Sequence, residues 1–126
     1  MAKVLISPGK YVQGAGEMKK LGEYAQNYGK KALILISKGG YKRIGAMVEK
    51  SFEGKECGYV FDYFNGECSK KEIKRLGEIV KEEACDVVIG IGGGKIFDTA
   101  KAVAYYEKTP VLICPTIAST DAPCSA

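Results

Sequence analysis

The fold is decided by residues 86–95, whose sequence is DVVIGIGGGK. Residues 86–91 form a short and almost wholly apolar run, which is typical of a parallel strand buried on both faces. Three adjacent glycines follow, and apolar residues at helical spacing begin at Ile96. The stretch therefore predicts a buried strand, a glycine-rich turn and a helix, which belong to an α/β unit.

The same alternation of strand and helix covers the rest of the chain. Further strands are predicted over residues 31–37, 59–64 and 110–114, with residues 4–6 as an additional strand at the start. Four helices are predicted from apolar stripes, which are Met18, Leu21, Tyr24 and Ala25; Ile44, Met47, Val48 and Phe52; Ile73, Leu76, Ile79 and Val80; and Phe97, Ala100, Ala104 and Tyr105.

Local signals mark several helix ends. Gly29 and Gly54 are predicted to end the first two helices. Ser69, with Glu72 three residues later, forms a capping box at the start of the third helix. The chain of 126 residues has the size of one domain. We therefore predict a single α/β domain over residues 1–126, with a Rossmann-like parallel sheet and helices on both faces.

Charge and hydropathy exclude two classes of partner. The net charge of +4 is mild, and the basic residues are scattered among acidic ones rather than gathered in a stripe, so we expect no nucleic-acid binding. Residues 1–8 carry too short an apolar run for a signal peptide. No apolar stretch is long enough to span a bilayer, so we expect no membrane partner and a cytoplasmic protein.

Reactive residue types are few. The chain has five cysteines and no C-x-x-C pair, which favours reduced thiols over a disulfide framework. It has no histidine. That absence excludes histidine-based acid–base catalysis, Ser-His and Cys-His pairs, and every histidine-containing metal site within this chain.

The glycine-rich turn is the strongest candidate for a binding site. Glycines let backbone N–H groups approach an anion closely, the start of the following helix attracts negative charge, and Lys95 adds a cation. A P-loop is excluded because Ile89 and Ile96 stand where glycine and a hydroxyl residue are required. The common dinucleotide fingerprint belongs at a first strand rather than a late one. A ligand-free turn is the less favoured alternative.

A second candidate is the loop over residues 115–123, which follows the last predicted strand and has the sequence PTIASTDAP. Its composition alone favours a simple turn. Beside the glycine-rich turn, however, its hydroxyls suit phosphate or ribose, and Asp121 suits a polyol. Asp98 lies one helical turn beyond Gly94, where it either contacts a ligand or interacts with the helix dipole.

These motifs resemble a known family. Residues 92–101, GGGKIFDTAK, are similar to the GGGK-x-x-D-T-A-K signature of the iron-containing alcohol dehydrogenase and dehydroquinate synthase superfamily. Residues 115–126, PTIASTDAPCSA, resemble the corresponding segment of glycerol dehydrogenases in particular. Residues 7–14 and 66–69 also resemble that family, so the likeness spans the whole chain.

The resemblance implies a function and a set of site residues. Glycerol dehydrogenases oxidise glycerol to dihydroxyacetone with NAD, in a cleft between a nucleotide-binding domain and a helical domain. The cofactor-binding residues implied are Ser37, Gly93, Gly94, Lys95, Asp98, Thr116, Ser119 and Ser125, of which Gly93, Gly94 and Lys95 would hold the pyrophosphate and Asp98 the nicotinamide side. Asp121 would contact glycerol or a similar small polyol.

Two departures from the family pattern qualify these expectations. Ser37, followed by Lys38, stands where the family usually has an aspartate that binds the adenosine ribose, so NADP is not excluded beside NAD. The family's zinc or iron is held by one aspartate and two histidines of the helical domain. We therefore expect a truncated enzyme that needs a complementing C-terminal domain, has no catalytic or metal-binding residues of its own, and is inactive alone.

Two further hypotheses are a stand-alone dinucleotide-binding or regulatory module and a fragment similar to glycerol-1-phosphate dehydrogenases. The segment over residues 120–123 favours glycerol over its phosphate, by resemblance only. A domain without its partner exposes apolar surface, so we also expect self-association, and a homo-oligomer is compatible with the sequence.

Overall fold

The computed structural model describes residues 9–11 and 17–115. Five strands and four α-helices alternate along this part of the chain. They are β1 (Gly9–Tyr11), α1 (Leu21–Gln26, preceded by a turn of 3-10 helix at Glu17–Lys20), β2 (Lys31–Ile36), α2 (Lys38–Ser51), β3 (Gly58–Tyr63), α3 (Lys70–Glu82), β4 (Val87–Gly92), α4 (Gly94–Glu107) and β5 (Val111–Pro115). The predicted strand over residues 4–6 lies outside the described residues.

All five strands form one parallel sheet in the order β1-β5-β4-β2-β3. Strand β2 lies between the edge strand β3 and the middle strand β4. The chain therefore moves outward from β2 to β3 and then returns to the opposite side of β2. This reversal places a topological switch point between β2 and β4.

The sheet is covered on both faces, as predicted. Alternate residues of β2 enter different cores, since successive side chains of a strand point to opposite faces. Ile34 and Ile36 pack with Leu21 and Val48 of helices α1 and α2. Leu33 and Leu35 pack on the other face with residues of α3 and α4. The α/β fold with a Rossmann-like parallel sheet is confirmed.

Polar groups fix the amino end of the sheet. The Asp86 carboxylate, just before β4, accepts hydrogen bonds from the backbone N–H groups of Lys30 and Lys31 at distances of 2.8–3.0 Å. The nitrogen of Asp86 in turn donates to the Lys31 carbonyl at 2.8 Å. Gly29 was predicted to end α1, but the helix already ends at Gln26, and the φ of Gly29 is not positive. Glycine is required there because a Cβ would collide with the Asp86 carboxylate.

The predicted capping box at α3 is only partly formed. The Ser69 hydroxyl accepts a hydrogen bond from the Glu72 nitrogen at 3.1 Å, as predicted. The Glu72 carboxylate does not return to Ser69, because it instead accepts from the Asn65 nitrogen at 3.1 Å and from Arg75. Two members of the predicted apolar stripes are also exposed, since Met47 and Tyr105 leave 37% and 53% of their surface to solvent.

The crossing of α1 and α2 leaves no room for a side chain at Gly22. A Cβ there would lie 2.7 Å from Phe52 Cα and would overlap the Ser51 carbonyl. The Gly22 nitrogen also donates to Ser51 Oγ at 3.0 Å.

We therefore predict that Gly22→Ala lowers the free energy of unfolding by about 2 kcal/mol, since overpacking outweighs the gain in helix propensity. Urea denaturation measures this change. Gly39→Ala in α2 is the matched control, because the nearest atom to its Cβ would be Arg43 Nη1 at 3.8 Å. The control should be neutral or slightly stabilising, and equal losses for both variants would contradict the packing argument.

Candidate functional site

The candidate site lies at the carboxyl ends of β2 and β4. Ile36, the last residue of β2, pairs with Ile91, so the turn that begins at Ser37 adjoins the turn that begins at Gly92. Ligands of open α/β sheets bind in the crevice at such a switch point. The glycine turn thus occupies the position that this class of fold uses for binding, although it follows a late strand.

The glycines of this turn have different structural roles. A Cβ on Gly90 would lie 2.9 Å from Ala100 Cβ, and one on Gly92 would lie 2.7 Å from Ile96 Cδ1. Gly92 also has a φ of 147°, which favours glycine. Gly94 differs, because a Cβ there would meet no described atom within 4 Å. Gly90 and Gly92 therefore let α4 approach β4, whereas Gly94 faces open space.

The start of α4 is suited to an anion. Gly93 is its N-cap, and no side chain among the described residues caps the helix. In contrast, Ser37 and Ser69 cap α2 and α3 with their hydroxyls. The N–H groups in the first turn of any helix have no intrahelical acceptor, and the helix dipole attracts negative charge to them. A phosphate can therefore bind to these N–H groups through backbone contacts.

Lys95 places a cation beside this turn. Its ammonium group lies 3.2 Å from the Glu67 carboxylate, and both side chains are mostly exposed. Exposed ion pairs contribute little stability, so Glu67 can be displaced from Lys95 at small cost. This contact could not be predicted from local sequence patterns, because Glu67 lies in the loop between β3 and α3 whereas Lys95 lies in the first turn of α4.

Asp98 and Thr99 of the signature have different environments. Asp98 is exposed one turn after Gly94, and residues four apart lie on the same side of a helix. Thr99 is fully buried, and its hydroxyl donates to the Lys95 carbonyl at 2.8 Å. Thr99 is therefore a structural residue, whereas the Asp98 side chain is exposed.

Ser37 directly follows β2, whose last residue pairs with Ile91 before the glycine turn. It is half-buried, and its Oγ accepts a hydrogen bond from the Gly40 nitrogen at 2.9 Å, which leaves its hydroxyl proton free to donate. The position of Ser37 between an apolar strand and a helix is a signal for this N-cap role, which was not among the predictions.

The first two turns of α2, the helix that Ser37 caps, carry basic residues. Lys38 Nζ lies 5.9 Å from the centre of the Tyr63 ring. Arg43 Nη1 is 3.8 Å from the position of a Cβ on Gly39. The first turn of α2, which is described in full, carries no acidic residue. This end of β2 therefore favours an anion rather than repelling one.

A buried carboxylate holds the loop between β3 and α3. Glu72 is only 1% exposed and pairs with Arg75, whose Nη2 lies 2.7 Å from its Oε2. Arg75 also pairs with Asp62 at 2.9 Å. The Asn65 nitrogen donates to Glu72, and the Asn65 side chain accepts from the Glu67 nitrogen at 3.0 Å. This network therefore positions the loop that carries Glu67 beside Lys95.

The remaining predicted site residues, Thr116, Ser119, Asp121 and Ser125, lie outside the described residues. Strand β5 ends at Pro115, which pairs with Gly92, so the chain leaves the sheet beside the glycine turn.

The described part of the chain offers no metal-binding cluster, and its Cys57 and Cys85 thiols are not ionised near neutral pH. Among residues 17–115, no group of three His, Cys, Asp or Glu side chains could hold a metal ion. Burial raises the pKa of the Cys57 and Cys85 thiols to about 11, so both stay protonated near neutral pH. No helix in the described residues is long and apolar enough to cross a membrane.

The doubly wound sheet and the open helix start at its switch point define a class, the α/β proteins that bind ligands at the carboxyl edge of a parallel sheet. Residues 8–126 match the sequence profile of the iron-containing alcohol dehydrogenases. The chain belongs to this family.

Within this family, the chain is similar to several glycerol dehydrogenases. The chain is 50% identical over 133 residues to a glycerol dehydrogenase of Thermotoga maritima and 48% identical over 128 residues to one of Escherichia coli O6:H1. Each match covers the whole chain but only 34% of the relative. The fold is similar to the crystal structure of a probable glycerol dehydrogenase from Sinorhizobium meliloti 1021, with a TM-score of 0.73 and 44% identity over 94% of this chain and 32% of that one.

The Glu72–Arg75 pair makes a pH-dependent contribution to stability. Arg75, more than the Asn65 N–H, lowers the pKa of Glu72 below its ordinary value. A lowered folded-state pKa stabilises the fold above the unfolded pKa of about 4.3, and this stabilisation is lost as the pH falls through the folded value. We predict that Glu72→Gln is destabilised at pH 7 but loses less stability than the unmodified chain between pH 5 and 3.

Urea denaturation at several pH values measures this difference. Glu78→Gln is the matched control, because Glu78 is an exposed residue on the same helix. Its pH dependence should parallel that of the unmodified chain. Parallel curves for Glu72→Gln as well would contradict a role for the buried pair.

Proposed function

We propose that this chain is the NAD-binding part of a glycerol dehydrogenase. The observation that carries the proposal is the uncapped start of α4 at the switch point, where Gly94 faces open space and Lys95 adds a cation. The family membership and the similarity to glycerol dehydrogenases support it. Because the chain spans about a third of those relatives, their activity and substrate are part of this proposal.

The geometry supports a particular placement of the dinucleotide. The pyrophosphate binds to the N–H groups at Gly93 and Gly94, with Lys95 released from Glu67 to neutralise its charge. Asp98, one turn further along α4, contacts the nicotinamide side. The adenosine ribose lies towards Ser37 on the neighbouring strand, whose hydroxyl proton is free to donate to it. Thr116, Ser119 and Ser125 complete the cofactor contacts in this proposal.

The substrate in the complete enzyme is glycerol or a similar small polyol. Asp121 would bind it through hydrogen bonds from its hydroxyls to the carboxylate. The family's metal ion does not fit this chain, which has no histidine and, over residues 17–115, no suitable cluster of ligands. Catalysis therefore needs a complementing domain, and we propose that this chain, in the cytoplasm, binds cofactor without turnover by itself.

Gly94→Val tests the binding site. Because no atom of the described residues lies within 4 Å of a Cβ at this position, the variant should fold with unchanged stability, whereas its side chain occupies the space of the pyrophosphate. We expect the affinity for NAD to fall at least about tenfold, which corresponds to roughly 1.4 kcal/mol. Calorimetric titration with NAD measures the affinity, and urea denaturation measures the stability.

Lys101→Met is the matched control for this titration, because it removes a cation from the same helix at a position outside the first turn. It should bind NAD with nearly unchanged affinity. Failure of the folded, unmodified chain to bind NAD or NADP would refute the proposal. Equal affinity for NAD in Gly94→Val would show that the dinucleotide binds elsewhere.

Ser37→Asp tests the choice between NAD and NADP. Aspartate caps a helix as well as serine does, so α2 should keep its stability. The new carboxylate would accept the ribose hydroxyls of NAD and repel the 2′-phosphate of NADP. We expect the ratio of NAD affinity to NADP affinity to rise about tenfold or more. Ser37→Asn, which caps without a charge, is the control, and an equal shift in both variants would contradict the electrostatic explanation.

A further inference from the structure

Strand β3 forms one edge of the sheet and has no strand partner on its outer side among residues 9–11 and 17–115. Its even-numbered positions face β2, because the nitrogens of Gly58 and Phe64 donate to carbonyls of the β2 segment at 2.8 and 2.9 Å. Backbone groups alternate in direction along a strand. The N–H and C=O groups of Tyr59, Phe61 and Tyr63 therefore point outward.

Several of the usual protections of an edge strand are missing from β3. Lysine, proline, a bulge or an inward-pointing charge normally prevents edge pairing. The sequence GYVFDY contains neither lysine nor proline, and its register with β2 is continuous over all six pairs. Its one charged residue, Asp62, is neutralised by Arg75 at 2.9 Å. The strand therefore presents little charge to an approaching strand.

Aromatic side chains line one face of this edge. Tyr59 and Tyr63 are 37% and 41% exposed, and the ring of Tyr59 lies 5.6 Å from that of Phe61. Tyr41 of α2 supports the row, with its ring 5.0 Å from Phe61 and 5.9 Å from Tyr63. The exposed rings are thus held in place before any partner arrives.

The order of residues makes this edge complementary to itself. The outward-facing positions are Tyr, Phe and Tyr, which have the same order in both directions along the strand. An antiparallel copy centred on Phe61 would place Phe61 opposite Phe61 and each Tyr59 opposite Tyr63 of the second copy. Aromatic cross-strand pairs of this kind stabilise antiparallel sheets.

We propose that two copies of this chain associate through antiparallel pairing of their β3 edges about Phe61, which joins their sheets into one. The Tyr63 carbonyl already accepts from Arg75 at 3.2 Å, and its second lone pair can accept from the other copy. The proposal does not rest on dinucleotide binding, because the edge is distinct from the crevice between β2 and β4.

Light scattering coupled to size-exclusion chromatography tests the proposal over a range of protein concentrations. We expect the unmodified chain to reach the mass of a dimer. The variant Tyr59→Lys with Tyr63→Lys places like charges opposite each other at both ends of the paired strands, so its dissociation constant should rise at least about a hundredfold. Circular dichroism establishes that each variant is folded.

A charge-complementary variant tests the register. Tyr59→Lys combined with Tyr63→Glu places opposite charges across the same two pairs, so the dimer should return and weaken at high salt. It also provides a test if the double-lysine variant does not fold. Tyr105→Lys with Tyr106→Lys is the matched control, because these exposed tyrosines of α4 lie away from the edge, and it should remain a dimer.

Three results would overturn the proposal. The first is a monomer at every concentration of the unmodified chain. The second is a dimer or larger assembly whose dissociation constant is unchanged in the folded double-lysine variant, since this would place the interface elsewhere. The third is a charge-complementary variant that folds but stays monomeric at low salt, since this would contradict the register about Phe61.

Discussion

The close approach of helix α4 to strand β4 is the constraint on which the site depends. Gly90 and Gly92 have no Cβ, and Ala100 and Ile96 of the helix occupy the space that a Cβ would need. Because the helix lies directly on the strand, its first turn begins at the edge of the sheet and faces the switch point. Side chains at these two positions would push the helix outward and move its N–H groups away from the crevice. The packing of α4 on Gly90 and Gly92 thus determines where the N–H groups at the start of α4 lie.

Much of this arrangement could be predicted because it depends on local sequence. Buried parallel strands such as β2 and β4 need continuous apolar runs, and such runs can be recognised directly in the sequence. Strand–helix alternation then brings the turns at Ser37 and Gly93 to the same edge. The sequence could not distinguish Gly94 from Gly92, however, because the difference depends on where Ile96 packs. Three glycines that look equivalent in the sequence have separate roles in the fold.

Contacts between charged residues were the least predictable part of the structure. The sequence pattern assigned Glu72 to its own helix start, but Asn65 and Arg75 provide better hydrogen-bond donors for its carboxylate. Two such donors stabilise a carboxylate more than a single N–H group does. The contact between Glu67 and Lys95 likewise joins a loop to the start of α4, across 28 positions of sequence. Local patterns carry no information about such neighbours, because they depend on how the strands are ordered in the sheet.

Asp86, at the amino end of the sheet, has a consequence for the opposite end. Its carboxylate bonds to the N–H groups of both Lys30 and Lys31, so β2 cannot slide along β4 by one residue without losing these bonds. A slip would also exchange the side chains that face the two cores. The same register sets Ser37 level with Gly92. The Asp86 carboxylate therefore fixes the alignment of the turns that begin at Ser37 and Gly92, although these turns lie at the other end of the strands. The spacing of the crevice is thus set at the end of the sheet opposite the candidate site.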